Sequence, residues 1–253
     1  IISLNNYLNK QKINSKIFSP IIISKLLKKK NSFFIIKLNN IPIFCRKIFY
    51  FINNFLSLIY FYVSKSNFFH LTYYNNFFKI FKIPYVMTVY DLTHEATNRH
   101  TQNLDKKRLL DDSKIIFCIS YATKKDLLKF YKIKKSKIKV VHLGVSQEIV
   151  YEKNKKKYLL FVGERSDYKN MKNFLLAYKS SQFMKKHYKI VIFGGKKLSK
   201  EEVSFLKINK IQNKVVHQTG DDEKLNNYYK HASLFVFPSI KEGFGLPILE
   251  AMR

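Results

Sequence analysis

Glu242 and Glu250 are two carboxylates with seven residues between them, around a turn carrying Gly243, Gly245 and Pro247. Leu234 to Phe237 reads as a buried strand that leads into this turn. A helix is expected to begin at Pro247, because proline suits a first helical position whose N–H would be unpaired anyway. The first turn of such a helix leaves N–H groups free and carries a partial positive charge, which suit phosphate oxygens. Gly243 and Gly245 allow the backbone to bend sharply and to approach a ligand closely. An ionised carboxylate only accepts hydrogen bonds. Glu250, in or near the first turn, is therefore suited to grip paired sugar hydroxyls. Glu242, on the loop, can face a second part of the same ligand. These residue types would also serve an ordinary helix start.

A second cluster lies earlier, in Gly163-Glu164-Arg165-Ser166-Asp167-Tyr168-Lys169-Asn170. It follows the strand-like run Tyr158 to Val162 and precedes a helical pattern. Arg165 offers a planar fork of donors and Lys169 a compact charge. Together they could neutralise a diphosphate; alone, they could equally be two solvated loop cations.

The elements that must hold these clusters alternate along the chain. Strands are expected at Phe33–Leu38, Phe68–Leu71, Tyr85–Tyr90, Ile115–Ser120 and Ile138–His142. A second series covers Tyr158–Val162, Lys189–Phe193, Lys214–His217 and Leu234–Phe237. Helical patterns fall between them at Thr123–Tyr131, capped by Ser120, and at Met171–Ser180, Lys200–Ile208 and Glu223–His231. Short apolar strands alternating with helices imply an α/β fold with parallel sheets covered on both faces. Leu143 to Lys157, with Gly144 and a charged run, breaks this rhythm and is read as the hinge between two doubly wound domains. In such sheets ligands bind beyond the carboxyl ends of the strands, where both clusters lie.

Composition sets outer limits. The 253 residues carry 46% hydrophobic side chains, enough for a real core, and a formal charge of +30. That charge suggests an anionic partner such as a membrane surface or a nucleic acid. Lysine, asparagine, isoleucine and aromatic residues are abundant together and tryptophan is absent, which reads as a general compositional bias. Lysine triplets occur only at Lys28–Lys30 and Lys155–Lys157, and no nucleic-acid motif accompanies them, so nucleic acid is not the expected partner. Cys45 and Cys118 cannot make a disulfide framework or a zinc site alone; Cys118 reads as a buried small hydrophobe, and a reducing cytoplasm fits. Phe49 to Val63 is short for a membrane span. It reads as a helix packed on a sheet, or as one leaning on a membrane surface.

The string Pro238-Ser239, Glu242 to Pro247 and Leu249 to Met252 resembles the signature of retaining glycosyltransferases of family 4, which have the GT-B architecture. The loop from Phe161 to Asn170 resembles the same family's donor loop. Weaker matches run through Ile119–Leu128, Val140–Val145, Gly194-Gly195 and the Asp222–His231 helix, so the resemblance covers roughly residues 67–253. It implies two Rossmann-like domains facing across a cleft: an acceptor-side domain at 1–145 with its start missing, and a nucleotide-sugar-binding domain at 146–253, incomplete at its end. Both ends are therefore expected to be open.

The resemblance also implies roles. Glu242, Arg165 and Lys169 would be catalytic, the two cations stabilising charge on the leaving diphosphate. Gly163, Asn170, Gly243, Phe244, Gly245, Leu246 and Glu250 would bind the donor, Glu250 at the ribose hydroxyls. Tyr90 and Asp91 would lie on the acceptor side, where family members usually carry His-Asp; Tyr90 cannot titrate near neutrality, and Asp91 or His94 would cover part of that role. No Asp-x-Asp occurs, so no metal and no cofactor are expected. Tyr168-Lys169-Asn170 resembles the loop of mannosyl- or rhamnosyl-type members, and the implied reaction moves a hexose from a nucleoside-diphosphate sugar, GDP-mannose preferred, to a glycan or lipid-linked acceptor of surface polysaccharide. The expected location is cytoplasmic, including the inner face of a membrane. Other readings are another GT-B sugar-nucleotide enzyme, whose lysine or carboxylate motifs are not found, and a non-catalytic basic fragment that binds membrane or nucleic acid.

Overall fold

Every strand pairing among the described residues is parallel. The computed structural model describes residues 10–12, 17–18, 21–22, 32–33, 36–37, 45–72, 74, 83–97, 103–145 and 154–252. The Lys28–Lys30 triplet and residues 146–153 of the expected hinge lie outside them. The chain divides into two compact units. One holds Ile1–Val89, Gln102–Cys118 and Leu127–Val140; the other holds Tyr90–Thr101, Ile119–Asp126 and Val141–Arg253.

In the first unit, two-residue strands β1 (Ile17–Phe18) and β2 (Ile21–Ile22) pair with β3 (Ser32–Phe33) and β4 (Ile36–Lys37) respectively. The strand expected over Phe33–Leu38 is thus two short pieces within the described residues. Helix α1 (Arg46–Val63) follows. It buries Leu58 and Phe61, the latter stacked on Phe69 at 4.9 Å, and leaves Phe51, Phe55, Ile59 and Tyr62 exposed. No helix among the described residues is long and apolar enough to cross a membrane.

The main sheet of this unit runs β5 (Phe69–Leu71), β6 (Tyr85–Val89), β7 (Ile115–Cys118), β8 (Ile138–Val140) in that order. Its strands are apolar without alternation because both faces are covered. Met87, Val89, Ile116 and Cys118 have no appreciable exposure, and Leu109 and Leu110 of α3 (Leu104–Asp112) are buried with them. Short α2 (Thr93–Thr97), part of the second unit, precedes α3 in the chain, and α4 (Tyr121–Tyr131), whose residues to Asp126 also belong to the second unit, follows β7. Ser120 caps α4 as expected: its Oγ accepts from the Thr123 N–H at 3.0 Å.

In the second unit the order is β11 (Val215–Gln218), β10 (Lys189–Phe193), β9 (Lys156–Val162), β12 (Ala232–Phe235). Side chains alternate across these strands. Leu159, Phe161, Ile190 and Ile192 pack with Met171, Leu175 and Tyr178 of α5 (Met171–Ser180) and Leu206 of α7 (Lys200–Ile208). Tyr158, Leu160, Val191 and Phe193 face the other way, onto Tyr229 of α8 (Asp222–His231). Each such side chain contributes about 1.5–3 kcal/mol by leaving water. Helix α6 (Gln182–His187) joins α5 to β10, and α9 (Leu246–Ala251) closes the described chain.

The strand order determines where the site forms. The chain steps outward from β9 through β10 to β11, then returns to the other side of β9 as β12. Between β9 and β12 the winding reverses, and the loops leaving their carboxyl ends must diverge to opposite faces. That opening is where doubly wound sheets bind ligands.

Candidate functional site

The loops after β9 and β12 carry the two clusters picked out from the sequence, and the fold of the second unit brings them together. Backbone ties fix the pairing. Val236 N–H donates to the Leu160 carbonyl at 2.8 Å, and Ile240 N–H to the Tyr168 carbonyl at 2.8 Å. Asn170 adopts the left-handed conformation (φ 58°) that turns the chain from a 3-10 turn into α5, and its Nδ2 donates to the Pro238 carbonyl at 3.2 Å. Gly163, at φ 125°, donates its N–H to the Phe193 carbonyl at 2.9 Å.

These ties place Lys169 against Glu242. Nζ and Oε1 are 2.6 Å apart, with side chains 13% and 23% exposed. Phe237 lies beneath the ammonium at 5.6 Å, within cation–π reach. A half-buried cation and a half-buried carboxylate thus meet across the reversal of the sheet, each available to exchange its partner for a ligand group of opposite charge or for a hydroxyl.

Arg165 stands differently. Its Nε donates to Glu202 Oε1 at 2.6 Å, Nη2 to the Lys196 carbonyl at 2.7 Å and Nη1 to the Gly194 carbonyl at 3.2 Å. The side chain is 8% exposed. Glu202 was not singled out in the sequence, being 37 residues away; the visible signal was only Ser199 three positions earlier, the pattern of a capping box. Burial raises the Glu202 carboxyl pKa. The Arg165 hydrogen bond, the Ser199 N–H and the charges of Arg165 and His217 outweigh it and hold the group below the ordinary glutamate value.

The glycine turn is seated within the same unit. A Cβ on Gly243 would overlap the Tyr90 carbonyl oxygen and lie 2.8 Å from Asp91 Cβ, so only glycine fits there. The Gly243 carbonyl accepts a short hydrogen bond from Ser120 Oγ and lies 3.3 Å from Thr123 Oγ1, which also reaches the Tyr90 carbonyl at 3.2 Å. Ser120 was expected only as a cap; its second bond has no sequence signature. Phe244 stacks on His142 at 5.8 Å, and His142 Nδ1 lies 3.2 Å from the Ile119 carbonyl, to which it donates. Gly245, at φ 87°, precedes α9.

Two details of the helix start differ from expectation. The helix begins at Leu246, with Pro247 second, and has six residues. Glu250 is therefore in its second turn, beyond the end that the dipole acts on. Its Oε2 accepts from the Tyr229 hydroxyl at 3.0 Å. Burial first, then the Glu250 charge and this hydrogen bond, push the Tyr229 phenol pKa up. Asp91 Oδ1 accepts from the Thr93 N–H at 3.0 Å and caps α2, and His94 is exposed on that helix. No group of three or more possible metal ligands occurs among the described residues.

Residues 146–253 match the model of the family "Glycosyl transferases group 1". The chain is 29% identical over 143 residues to the O-antigen chain mannosyltransferase RfbU of Salmonella typhimurium, covering 55% of this chain and 39% of that protein. It is 26% identical over 159 residues to O-antigen chain mannosyltransferase B of Escherichia coli, covering 56% and 42%. The chain thus spans about two fifths of the length of these relatives. Among solved structures it resembles the lipopolysaccharide outer core galactosyltransferase WaaB, at TM-score 0.63 and 16% identity over 99% of this chain and 72% of that one. It also resembles HepE of Anabaena in complex with UDP and glucose, at TM-score 0.64 and 13% identity over 87% and 65%. Residues 146–253 thus resemble the glycosyl transferases group 1 family, in a chain with the α/β GT-B fold.

Proposed function

We propose that this chain serves a retaining glycosyltransferase of family 4, which moves a hexose from a nucleoside-diphosphate sugar to a glycan or lipid-linked acceptor in surface polysaccharide synthesis. The observation that carries the reading is the Lys169–Glu242 pair at the reversal of the second sheet. Lys169 takes the β-phosphate side of the donor and stabilises the charge that builds on the leaving diphosphate. Glu242, released from Lys169, takes hydroxyls of the sugar. Gly163, Asn170 and the backbone from Gly243 to Leu246 line the donor, and Glu250 takes the ribose hydroxyls.

Residues 146–253 form the donor side and 1–145 the acceptor side, with Tyr90 and Asp91 facing the acceptor. GDP-mannose is the preferred donor. The likeness to two O-antigen mannosyltransferases supports that preference, while the UDP in the HepE structure makes uridine donors the alternative to test. A cytoplasmic protein that leans on the inner face of a membrane through exposed aromatic side chains of α1 fits the acceptor class and the charge of +30.

A panel of GDP and UDP sugars, assayed for transfer and hydrolysis in the presence of EDTA, tests the reading. Glu250→Ala is expected to raise donor KM with little change in acceptor KM. Unchanged donor KM and turnover in Glu250→Ala would remove Glu250 from the site, and no turnover of any sugar nucleotide by the full-length protein would overturn the assignment.

A further inference from the structure

The cation at the end of β9 with the most elaborate surroundings is Arg165, and its surroundings are a built cradle. Five oxygens take its N–H groups: Glu202 Oε1 from Nε, the Gly194 carbonyl from Nη1, and from Nη2 the Lys196 carbonyl and, at 3.3 and 3.4 Å, the Lys197 carbonyl and Glu202 Oε2. A guanidinium has five N–H donors in a rigid fork. Nη1 makes one described bond, which leaves its second N–H for an incoming oxygen. The loop 194–197 closes so tightly that a Cβ on Gly195 (φ 69°) would lie 2.9 Å from Nη1.

Glu202 is the anchor of this cradle and has two attachments. Its Oε2 accepts from the Ser199 N–H at 2.7 Å, completing the capping box at the start of α7. Its Oε1 holds Arg165. The carboxylate is therefore fixed by a helix end and in turn fixes the guanidinium, so that the fork does not swing to follow a ligand.

We propose that Glu202 is the positioning residue for Arg165. It orients the guanidinium so that one Nη1 N–H points out of the cradle toward the diphosphate of a bound nucleotide, while it cancels most of the cation's charge. This rests on the donor-site reading above. The net attraction for the diphosphate then comes from Lys169, and Arg165 supplies a directed hydrogen bond. Glu202 touches no substrate; it acts through Arg165.

The test compares Glu202→Gln, Ser199→Ala, Arg165→Met and the Arg165→Met/Glu202→Gln double variant of this chain. Each is titrated with mant-labelled GDP and UDP in EDTA, and its melting temperature is measured. Glutamine keeps the capping box, so Glu202→Gln folds; Ser199→Ala breaks the box but leaves the Arg165 pair. Arg165→Met is expected to weaken nucleotide binding about tenfold, the loss of one charge-assisted hydrogen bond. Glu202→Gln should weaken it several-fold, and the double variant no more than Arg165→Met alone. Ser199→Ala should lose melting temperature but bind as the wild type does.

Wild-type binding by Glu202→Gln, or equal weakening in Ser199→Ala and Glu202→Gln, overturns the proposal even if Arg165→Met does not fold. Wild-type binding by Arg165→Met, or no binding of either nucleotide by the wild type, overturns the donor-site reading itself.

Discussion

Separating Lys169 from Glu242 should produce two opposite effects on nucleotide binding and one non-additive effect on stability. The pair is 2.6 Å apart with side chains 13% and 23% exposed, which sets it between two known regimes. Exposed ion pairs contribute about 0–1 kcal/mol. Removing one partner of a fully buried pair costs about 3–5 kcal/mol, because the other charge is left without compensation. Lys169→Met should therefore cost about 1–3 kcal/mol, with the Glu242 carboxylate left without its cation. Glu242→Gln should cost somewhat less, since glutamine still accepts a hydrogen bond from Nζ. The double variant should be more stable than the sum of the singles by about 1 kcal/mol or more. Urea unfolding followed by circular dichroism measures this cycle. In the same variants, titration with GDP or UDP should weaken at least about tenfold for Lys169→Met, the loss of a charged partner. It should hold or tighten for Glu242→Gln, where the lysine no longer has a competing anion. Additivity within about 0.3 kcal/mol, or equal weakening of nucleotide binding in both single variants, would refute the exchange of partners on which the proposed donor site depends.

Further outcomes follow from the same geometry. Gly243→Ala should lose about 1–3 kcal/mol in thermal unfolding, because the new methyl meets the Tyr90 backbone carbonyl, which cannot yield as a side-chain tip would. Gly144→Ala, where an added Cβ meets nothing within 4 Å, should be neutral or slightly stabilising. The Tyr158 phenol is pushed up to about 12, by burial and then by Tyr228. A neutral group whose folded pKa is raised stabilises the fold below its unfolded value near 10 and loses that contribution as pH rises toward 12. Urea midpoints at alkaline pH should therefore fall, and Tyr158→Phe should flatten the fall. Glu202, held below its ordinary value of 4.5, works in the other direction. Its contribution is present above that pH and lost as pH falls through the lowered value, so Glu202→Gln should flatten the acid limb.

Local signals announced local structure. The apolar run Lys189–Phe193 and the amphipathic patterns over Met171–Ser180 and Lys200–Ile208 match β10, α5 and α7 residue for residue. Alternating strands and helices gave parallel sheets covered on both faces, and two loops at strand ends gave the Lys169–Glu242 meeting. Elements without a strong apolar stripe were missed. Helix α3 is mostly charged, and its one marker was Asn103, whose side chain accepts from the Lys106 N–H. Helix α6 is separated from α5 only by its N-cap Ser181, so its pattern merges with that of its neighbour. β12 starts two residues before the apolar run suggested, because pairing with β9 extends to Ala232.

The partners of the site were the least legible part. Arg165 with Glu202, Glu250 with Tyr229, and Ser120 with Gly243 are separated by 37, 21 and 123 residues. No periodicity in a single sequence links such positions; the strand order does, and it is set by the packing of whole elements. Long-range packing likewise makes Arg165, a loop cation by sequence, a nearly buried strut. The loop after β10 closes around it, and that closure depends on Gly195 and on the capping box of α7.

The proposed nucleoside-diphosphate site lies between β9 and β12, built by Lys169 and its neighbours. Calorimetric titration of this chain with GDP and with UDP, in EDTA, tests it most directly. Saturable binding of at least one of them at a single site is expected, weakened at least about tenfold in Lys169→Met. No saturable binding of either nucleotide, or equal binding by the wild type and Lys169→Met, would contradict it.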